Sequence, residues 1–170
     1  MGVACSNQTI PRKVLLTGPK GSGKTTLLYY WSMNTITETI PTESFNIETI
    51  KVDIGGQLLV WDVTDTARRR QFYHGTDAIV YVYAEDQNTT QAKVREDLIT
   101  LLTDRDLQNL PLLLLTSKTD ISGTPMEQSE ETLNLSSVLS KRSYACAQIT
   151  MTDTSTYDQA LKKLIDLFYT

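Results

Sequence analysis

The chain has 170 residues, of which 40 % are hydrophobic, and a formal net charge of −4. That length suits one globular domain with one core, and the hydrophobic content argues against a disordered chain. Because the net charge is negative, the chain has no overall positive potential that would attract nucleic acid. No apolar run approaches the roughly 20 residues that a membrane-spanning helix needs. The two cysteines, Cys5 and Cys146, lack metal-ligand spacing, which is typical of a reducing compartment.

Short apolar runs alternate with segments of helical periodicity, which predicts an α/β sheet with helices on its faces. The two glycines Gly55-Gly56 separate two strand-like runs and indicate a hairpin. No repeat or second domain is evident, so we expect a tail, 1–12, and one domain, 13–170. In chain order, the predicted elements are strand 13–17, helix 25–33, strands 45–52 and 58–63, strand 78–84, helix 89–104, strand 110–117, strand 142–147 and helix 157–168.

The segment GPKGSGKT, 18–25, fits G-x-x-x-x-G-K-[ST] between a predicted strand and a predicted helix. Its glycines let backbone N–H groups converge on phosphate oxygens at the positive end of the helix. Lys24 is predicted to reach the β- and γ-phosphates, and the Thr25 hydroxyl to ligate Mg²⁺. This loop alone does not separate GTP from ATP and would equally suit a nucleotide kinase or an ATPase. The predicted phosphate-binding residues are Gly18, Gly21, Ser22, Gly23, Lys24, Thr25 and Thr26.

The segment SKTD, 117–120, resembles the N-K-x-D element by which GTPases select their base. The Asp120 carboxylate can accept two hydrogen bonds from guanine, a pair that adenine does not offer. Lys118 can lay its methylene stem along the purine. Ser117 replaces the asparagine, and the lost hydrogen bonds predict affinity weaker by about 1–2 kcal/mol or faster exchange. The run ACA, 145–147, resembles the loop that meets guanine O6, which places Cys146 and Ala147 at the base.

The runs KVLLTGPKGSGKTTLLYYW, TIPTESFNIET and VWDV, in that order, resemble the Arf and Arf-like small GTPases. The resemblance extends from Lys13 to the last helix. It implies a three-layer, Ras-like P-loop fold whose mostly parallel sheet has one antiparallel hairpin strand, and a switch that binds GTP or GDP with Mg²⁺. By the same resemblance, Thr42 of switch I reaches Mg²⁺ when the γ-phosphate is present. Asp62 holds the ion through water.

The resemblance also implies exchange-factor and effector partners, which contact switch I, the interswitch hairpin and switch II. Phe45 and Trp61 match two exposed aromatics that contact effectors in this family, and Tyr73 is the candidate third. Packing in the core is the alternative, above all for Trp61, which lies in an apolar strand.

The loop after VWDV departs from the family's G-G-Q, because Thr64, Asp65 and Thr66 stand there. Asp65 adds a Cβ and a negative charge where a glycine N–H would meet the γ-phosphate. Thr66 replaces the glutamine that orients the attacking water. We therefore expect impaired intrinsic hydrolysis and assign no catalytic residue. One hypothesis pairs Lys20 with Asp65, against the alternative of two unrelated solvated charges.

The three arginines at 68–70 could supply a cationic group to the phosphate, but a solvated face of switch II or a partner-docking patch is the preferred interpretation. The single histidine, His74, has no carboxylate or cysteine partner in sequence and receives no catalytic role.

The first residues fit M-G-x-x-x-S, the pattern for myristoylation of Gly2. One myristoyl chain binds membranes only weakly and reversibly, so palmitoylation of Cys5 is the candidate second anchor. A plain unmodified tail is the alternative. Acylation predicts a cytoplasmic protein bound peripherally to the Golgi, another endomembrane or the plasma membrane. The resemblance implies a role in vesicle traffic or membrane signalling, and we expect a monomer.

Two other functions compete with the switch. A pseudo-GTPase adaptor would present its switch surface constitutively, whether or not nucleotide is bound. An ATP-using phosphotransferase would need a lid with arginines, and the segment 121–137 contains none.

Overall fold

The computed structural model describes residues 10–36, 44–53, 56–84, 91–118 and 133–169. Strands and helices alternate through most of these ranges, as the sequence predicts. Two short 3₁₀ helices, η1 and η2, supplement them. The elements are β1 Arg12–Thr17, α1 Lys24–Met33, β2 Phe45–Val52, β3 Gly56–Val63, η1 Arg69–Phe72, β4 Ala78–Ala84, α2 Gln91–Thr103, η2 Arg105–Leu107, β5 Leu112–Lys118, α3 Ser136–Leu139, β6 Tyr144–Thr150 and α4 Ser155–Asp166.

Six strands form one sheet in the order β2-β3-β1-β4-β5-β6. Every neighbouring pair is parallel except β2 and β3, which run antiparallel. The mostly parallel sheet with one antiparallel hairpin strand is thereby confirmed. Gly56, predicted to lie in the turn, instead opens β3 and pairs with Val52.

Alternating side chains of the buried strands point to opposite faces of the sheet. In β1 and β4, even-numbered residues such as Val14 and Val80 pack on the face that α1 and α4 cover, and in β5 the odd-numbered Leu113 lies on that face. On the other face, odd-numbered residues of β1 and β4 such as Leu15 and Tyr81 pack against α2. Because helices cover both faces, the central strands are apolar without alternation, and the fold has three layers.

The last strand differs from its prediction. The sequence predicted strand 142–147, whereas β6 continues to Thr150 and pairs with β5 as far as Lys118. The extra residues have polar members, which hid the strand from a search for apolar runs. In the described part of the chain, no helix is both long and apolar enough to cross a bilayer.

Candidate nucleotide-binding site

The loop 18–23 connects β1 to α1 at the carboxyl ends of the parallel strands, where ligands of open α/β sheets bind. Gly18 has φ +140°, and a Cβ built on it would lie 1.9 Å from the carbonyl oxygen of Val82. Gly23, with φ +91°, is the N-cap of α1. The backbone therefore approaches β4 and turns into the helix in a way that only glycine permits at position 18.

Lys24 lies inside this loop with only 4 % of its surface exposed. Its Nζ donates hydrogen bonds to the carbonyl oxygens of Gly18, at 2.9 Å, and Pro19, at 2.6 Å. Burial lowers the pKa of Lys24 to about 8, although the nearby charge of Asp62 opposes this shift. The structure therefore holds the Lys24 amino group at the centre of the loop.

Two of the predicted magnesium residues meet beside the loop. The Thr25 hydroxyl donates to Oδ2 of Asp62 at 2.7 Å, and the Asp62 carboxylate on β3 is fully buried. Hydroxyl and carboxylate oxygens are hard ligands of the kind that Mg²⁺ prefers, so this donor set fits the ion. When bound, Mg²⁺ would neutralise charge on the phosphates. Thr42, the third predicted ligand, lies outside the described residues.

The predicted base-binding segment begins where β5 ends. Ser117 and Lys118 are the last residues of that strand and are half-buried. A Cβ built on Gly23 would lie 3.5 Å from the Ser117 hydroxyl oxygen, so this serine lies against the phosphate loop. Asp120, the predicted guanine-selecting acid, lies outside the described residues.

The prediction that 145–147 forms the base-binding loop is wrong, because β6 includes these residues. Cys146 and Ala147 lie in the middle of β6, opposite Leu114 and Leu115. The strand continues because its backbone pairs with β5, so the residue level with Lys118 is Thr150. The turn that follows it is closed by a backbone hydrogen bond from Asp153 N–H to the Thr150 carbonyl oxygen, at 3.3 Å.

The altered switch II loop is held in a turn by its own carboxylate. Oδ1 of Asp65 accepts hydrogen bonds from the N–H groups of Ala67, at 2.9 Å, and Arg68, at 3.3 Å. Its other oxygen lies 3.7 Å from Arg68 Nε. No ion pair joins Lys20 to Asp65 in the described ranges, where Arg68 is the cation beside that carboxylate. A coupling between Lys20 and Asp65 in the nucleotide complex stays a prediction. Thr66 is exposed.

The prediction of a solvated face at 68–70 holds for Arg68 and Arg70 and is wrong for Arg69. The Arg69 side chain is only 5 % exposed and forms an ion pair with Asp97 on α2. Arg70 pairs with Asp104 at 2.8 Å, and Arg68 remains 81 % exposed. Asp97 was missed because it follows Arg95 and Glu96 in a charged run that is typical of a solvated helix face. Its spacing from Val94 and Leu101, on the buried face of α2, is the signal that could have identified it.

Three aromatic rings form an exposed cluster beside the switch loop. The Phe45 and Phe72 ring centroids are 5.0 Å apart, and the Trp61 ring lies within 5.9 Å of both. Phe45 is 43 % exposed. The prediction of Tyr73 as the third aromatic is wrong, since Tyr73 is buried and bonded to Arg69. Successive residues of a 3₁₀ turn point about 120° apart, which explains why Phe72 occupies that position.

A P-loop, a buried carboxylate bonded to the loop's threonine and a Ras-like sheet define a P-loop nucleotide-binding protein of the small GTPase class. The profile of the "ADP-ribosylation factor family" matches residues 4–168. ADP-ribosylation factor K of Dictyostelium discoideum is 33 % identical over 78 % of this chain and 72 % of its own length. ADP-ribosylation factor-like protein 1 of Caenorhabditis elegans is 34 % identical over 65 % of this chain and 63 % of its own.

The chain therefore belongs to the ADP-ribosylation factor family, whose members bind guanine nucleotide with Mg²⁺ and act as GTPase switches. A solved structure of the Arl6 BBS3 small GTPase from Trypanosoma brucei, with a bound nucleotide analogue, superposes with a TM-score of 0.80. That match covers 92 % of this chain and 96 % of that one. At 17 % identity it supports the fold alone.

Proposed function

We propose that this protein is a membrane-associated guanine-nucleotide switch with weak or partner-dependent hydrolysis. The observation that carries the proposal is the hydrogen bond between Thr25 and the buried Asp62 at the mouth of a loop that holds Lys24. These three groups provide the ammonium, hydroxyl and carboxylate that a magnesium–phosphate complex requires. Thr42 is proposed to complete the magnesium site.

We assign base recognition to the ends of β5 and β6. Lys118 and Asp120 would contact the purine, as the sequence predicts. The corrected extent of β6 moves the O6-binding backbone from Cys146 and Ala147 to the turn 150–153, because Thr150 is the residue level with Lys118. A hydrogen bond between the hydroxyl groups of Thr150 and Thr152, and one from the Thr152 N–H to Thr150 Oγ1, support a preformed turn there.

Weak hydrolysis follows from the loop 64–66. The Asp65 carboxylate is engaged with its own turn, and Thr66 lacks the amide and the reach to orient water. Asp65 is still expected to lie near the γ-phosphate through its backbone. Hydrolysis would then depend on a partner that supplies the missing groups.

The aromatic cluster Phe45, Trp61 and Phe72 is the proposed contact for exchange factors and effectors. Exposed contiguous apolar area of this kind indicates an interaction site. Ile47, 39 % exposed on the same strand as Phe45, extends it along the sheet edge.

Membrane association is proposed to depend on acylation of Gly2, with Cys5 as the second site. The chain enters the domain at Ile10, which is 90 % exposed. Ile10 lies beside a cavity of about 450 Å³ that is lined by Phe168 and Ile165 among others. This cavity adjoins the first residues of β1, at the end of the strand opposite the phosphate loop.

Calorimetry with GDP, GTP, ADP and ATP in the presence of Mg²⁺ tests the nucleotide assignment. We expect heat with the guanine nucleotides only, and loss of that heat in Lys24→Ala. Arg105→Gln, on a side chain in η2 that is 81 % exposed, is the control. Preference for adenine nucleotides, or no binding, would contradict the proposal. Single-turnover hydrolysis with and without cell extract then measures the dependence on a partner.

A constitutive adaptor is the second candidate, and one observation favours it. The half of switch II that carries Phe72 is bound to the body of the domain by an ion pair between the buried Arg69 and the half-buried Asp97. A surface held in this way can be presented in either nucleotide state.

A further inference from the structure

We propose that Arg69 anchors η1, so that the Phe72 part of the partner surface keeps one position whichever nucleotide is bound. This inference rests on the proposed function for the identity of the ligand, but the anchor itself is a property of the described residues. The anchor divides the aromatic cluster into two parts. Phe72 is fixed to the body of the domain, whereas Phe45 and Trp61 belong to the β2–β3 hairpin.

The anchor is a network around the buried Arg69 guanidinium that joins three elements, and its acceptor Asp97 is 25 % exposed. Arg69 Nη1 donates to Asp97 Oδ2 at 2.9 Å, and Arg69 Nη2 donates to the other carboxylate oxygen. The Tyr81 hydroxyl on β4 donates to Asp97 Oδ2 at 2.7 Å. A two-pronged guanidinium–carboxylate pair fixes the orientation of both groups, which a single charge contact does not.

The remaining guanidinium nitrogen completes the network. Arg69 Nε donates to the Tyr73 hydroxyl oxygen at 2.8 Å. Only 4 % of Arg69 is exposed. If η1 moved away, the Arg69 guanidinium would either remain in the core without its partner or move into solvent. In the second case, the Asp97 carboxylate would lose its cation. Both outcomes are costly, because breaking a buried pair leaves one charge uncompensated.

A second tie holds the chain that follows η1. Lys13 Nζ on β1 donates to the carbonyl oxygens of Phe72 and of His74, the latter at 2.8 Å. The same ammonium lies 4.9 Å from the centroid of the Trp61 ring. Phe72 is thus held on both sides, by Arg69 before it and by Lys13 after it.

Little chain is left that could move. Only residues 64–68 lie between the end of β3 and the start of η1. Those residues form a turn closed by Asp65, and the Thr64 N–H donates to the Ser44 carbonyl oxygen at 3.3 Å. A change at the nucleotide can therefore be transmitted along the hairpin, while η1 stays in place.

Hydrogen exchange on the full chain tests the anchor. The reporters are the N–H groups of Gln71, Tyr73 and Thr76, which donate to backbone carbonyls in and after η1. In the wild type we expect their exchange rates to differ by less than about twofold between the GDP and GTPγS states. In Asp97→Asn we expect exchange at least about tenfold faster, and dependent on the nucleotide.

The chain provides a matched control. Arg70 belongs to the same 3₁₀ helix and pairs with Asp104, but its side chain is 63 % exposed. Arg70→Met should leave the exchange rates within about twofold of wild type, since exposed ion pairs contribute little. Arg69→Lys keeps the positive charge but loses the two-pronged hydrogen bonding of the guanidinium. If Asp97→Asn does not fold, this variant shows whether Arg69 anchors η1. It should exchange faster than Arg70→Met.

Two results would overturn the inference. One is a change of about tenfold or more at these amides between nucleotide states of the wild type. The other is exchange in Asp97→Asn and Arg69→Lys that is no faster than in Arg70→Met. Calorimetry of the same samples separates this failure from failure of the proposed function. Without guanine nucleotide binding, the comparison of variants in nucleotide-free protein still decides whether Arg69 anchors η1.

Discussion

Gly18→Ala should destabilise the domain and weaken nucleotide binding together. The new Cβ would lie 1.9 Å from the Val82 carbonyl oxygen, well below the 3.4 Å of ordinary van der Waals contact. Either the loop or β4 must therefore shift. Left-handed backbone costs a non-glycine residue about 1–2 kcal/mol, and forced overpacking adds about 1–3 kcal/mol. The expected loss is about 2–5 kcal/mol in the free energy of unfolding.

Two other glycines separate the clash from the backbone strain. Gly21, φ +79°, and Gly75, φ +73°, have nothing within 4 Å of an added Cβ. Gly21→Ala and Gly75→Ala should therefore lose only the strain, about 1–2 kcal/mol. Urea denaturation measures all three, and GDP titration should show the largest affinity loss for Gly18→Ala. Equal unfolding free energies for Gly18→Ala and Gly75→Ala would refute the role given to the close approach of the loop to β4.

Three further changes have definite expected outcomes. Ser117→Asn should slow GDP dissociation by about fivefold or more, because a longer amide can hydrogen-bond the phosphate loop beside Gly23, whereas Ser117→Ala should not slow it. The double change Asp65→Gly, Thr66→Gln should raise the single-turnover hydrolysis rate by about tenfold or more, and an unchanged rate would place the defect elsewhere. Arg142→Met should lower the free energy of unfolding in urea by about 2–3 kcal/mol. The reason is that the Arg142 guanidinium donates to four carbonyl oxygens, those of Leu102, Leu107, Leu110 and Val138. A loss equal to that of Arg105→Met, on an exposed side chain, would contradict this.

The fold was predictable wherever the signal is local. Unbroken apolar runs indicated parallel strands, and β4 occupies 78–84 as predicted. The glycines and the lysine of the loop 18–25 have spacing that suits phosphate binding only between a strand and a helix, and the structure places them there. Asp62 lies beside Thr25 because β1 and β3 are parallel neighbours.

The errors share a physical origin. Gln148 and Thr150 continue β6 because backbone pairing with β5 stabilises the strand there, although their polar side chains give no apolar signal in the sequence. By sequence alone, Phe72 at the end of η1 and Tyr73 directly after it are equally good candidates for the surface aromatic. Only the direction in which the 3₁₀ turn points each ring decides that Tyr73 is buried and Phe72 half-exposed.

A phosphate loop on a parallel sheet could be predicted for this chain, because those features follow from residue spacing within short segments. Which arginine of the triplet is buried, and what it binds, depends instead on packing between elements that are distant in sequence. Arg69 and Asp97 meet across 28 positions of sequence, and the energy of such a pair depends on how far packing excludes water from both charges.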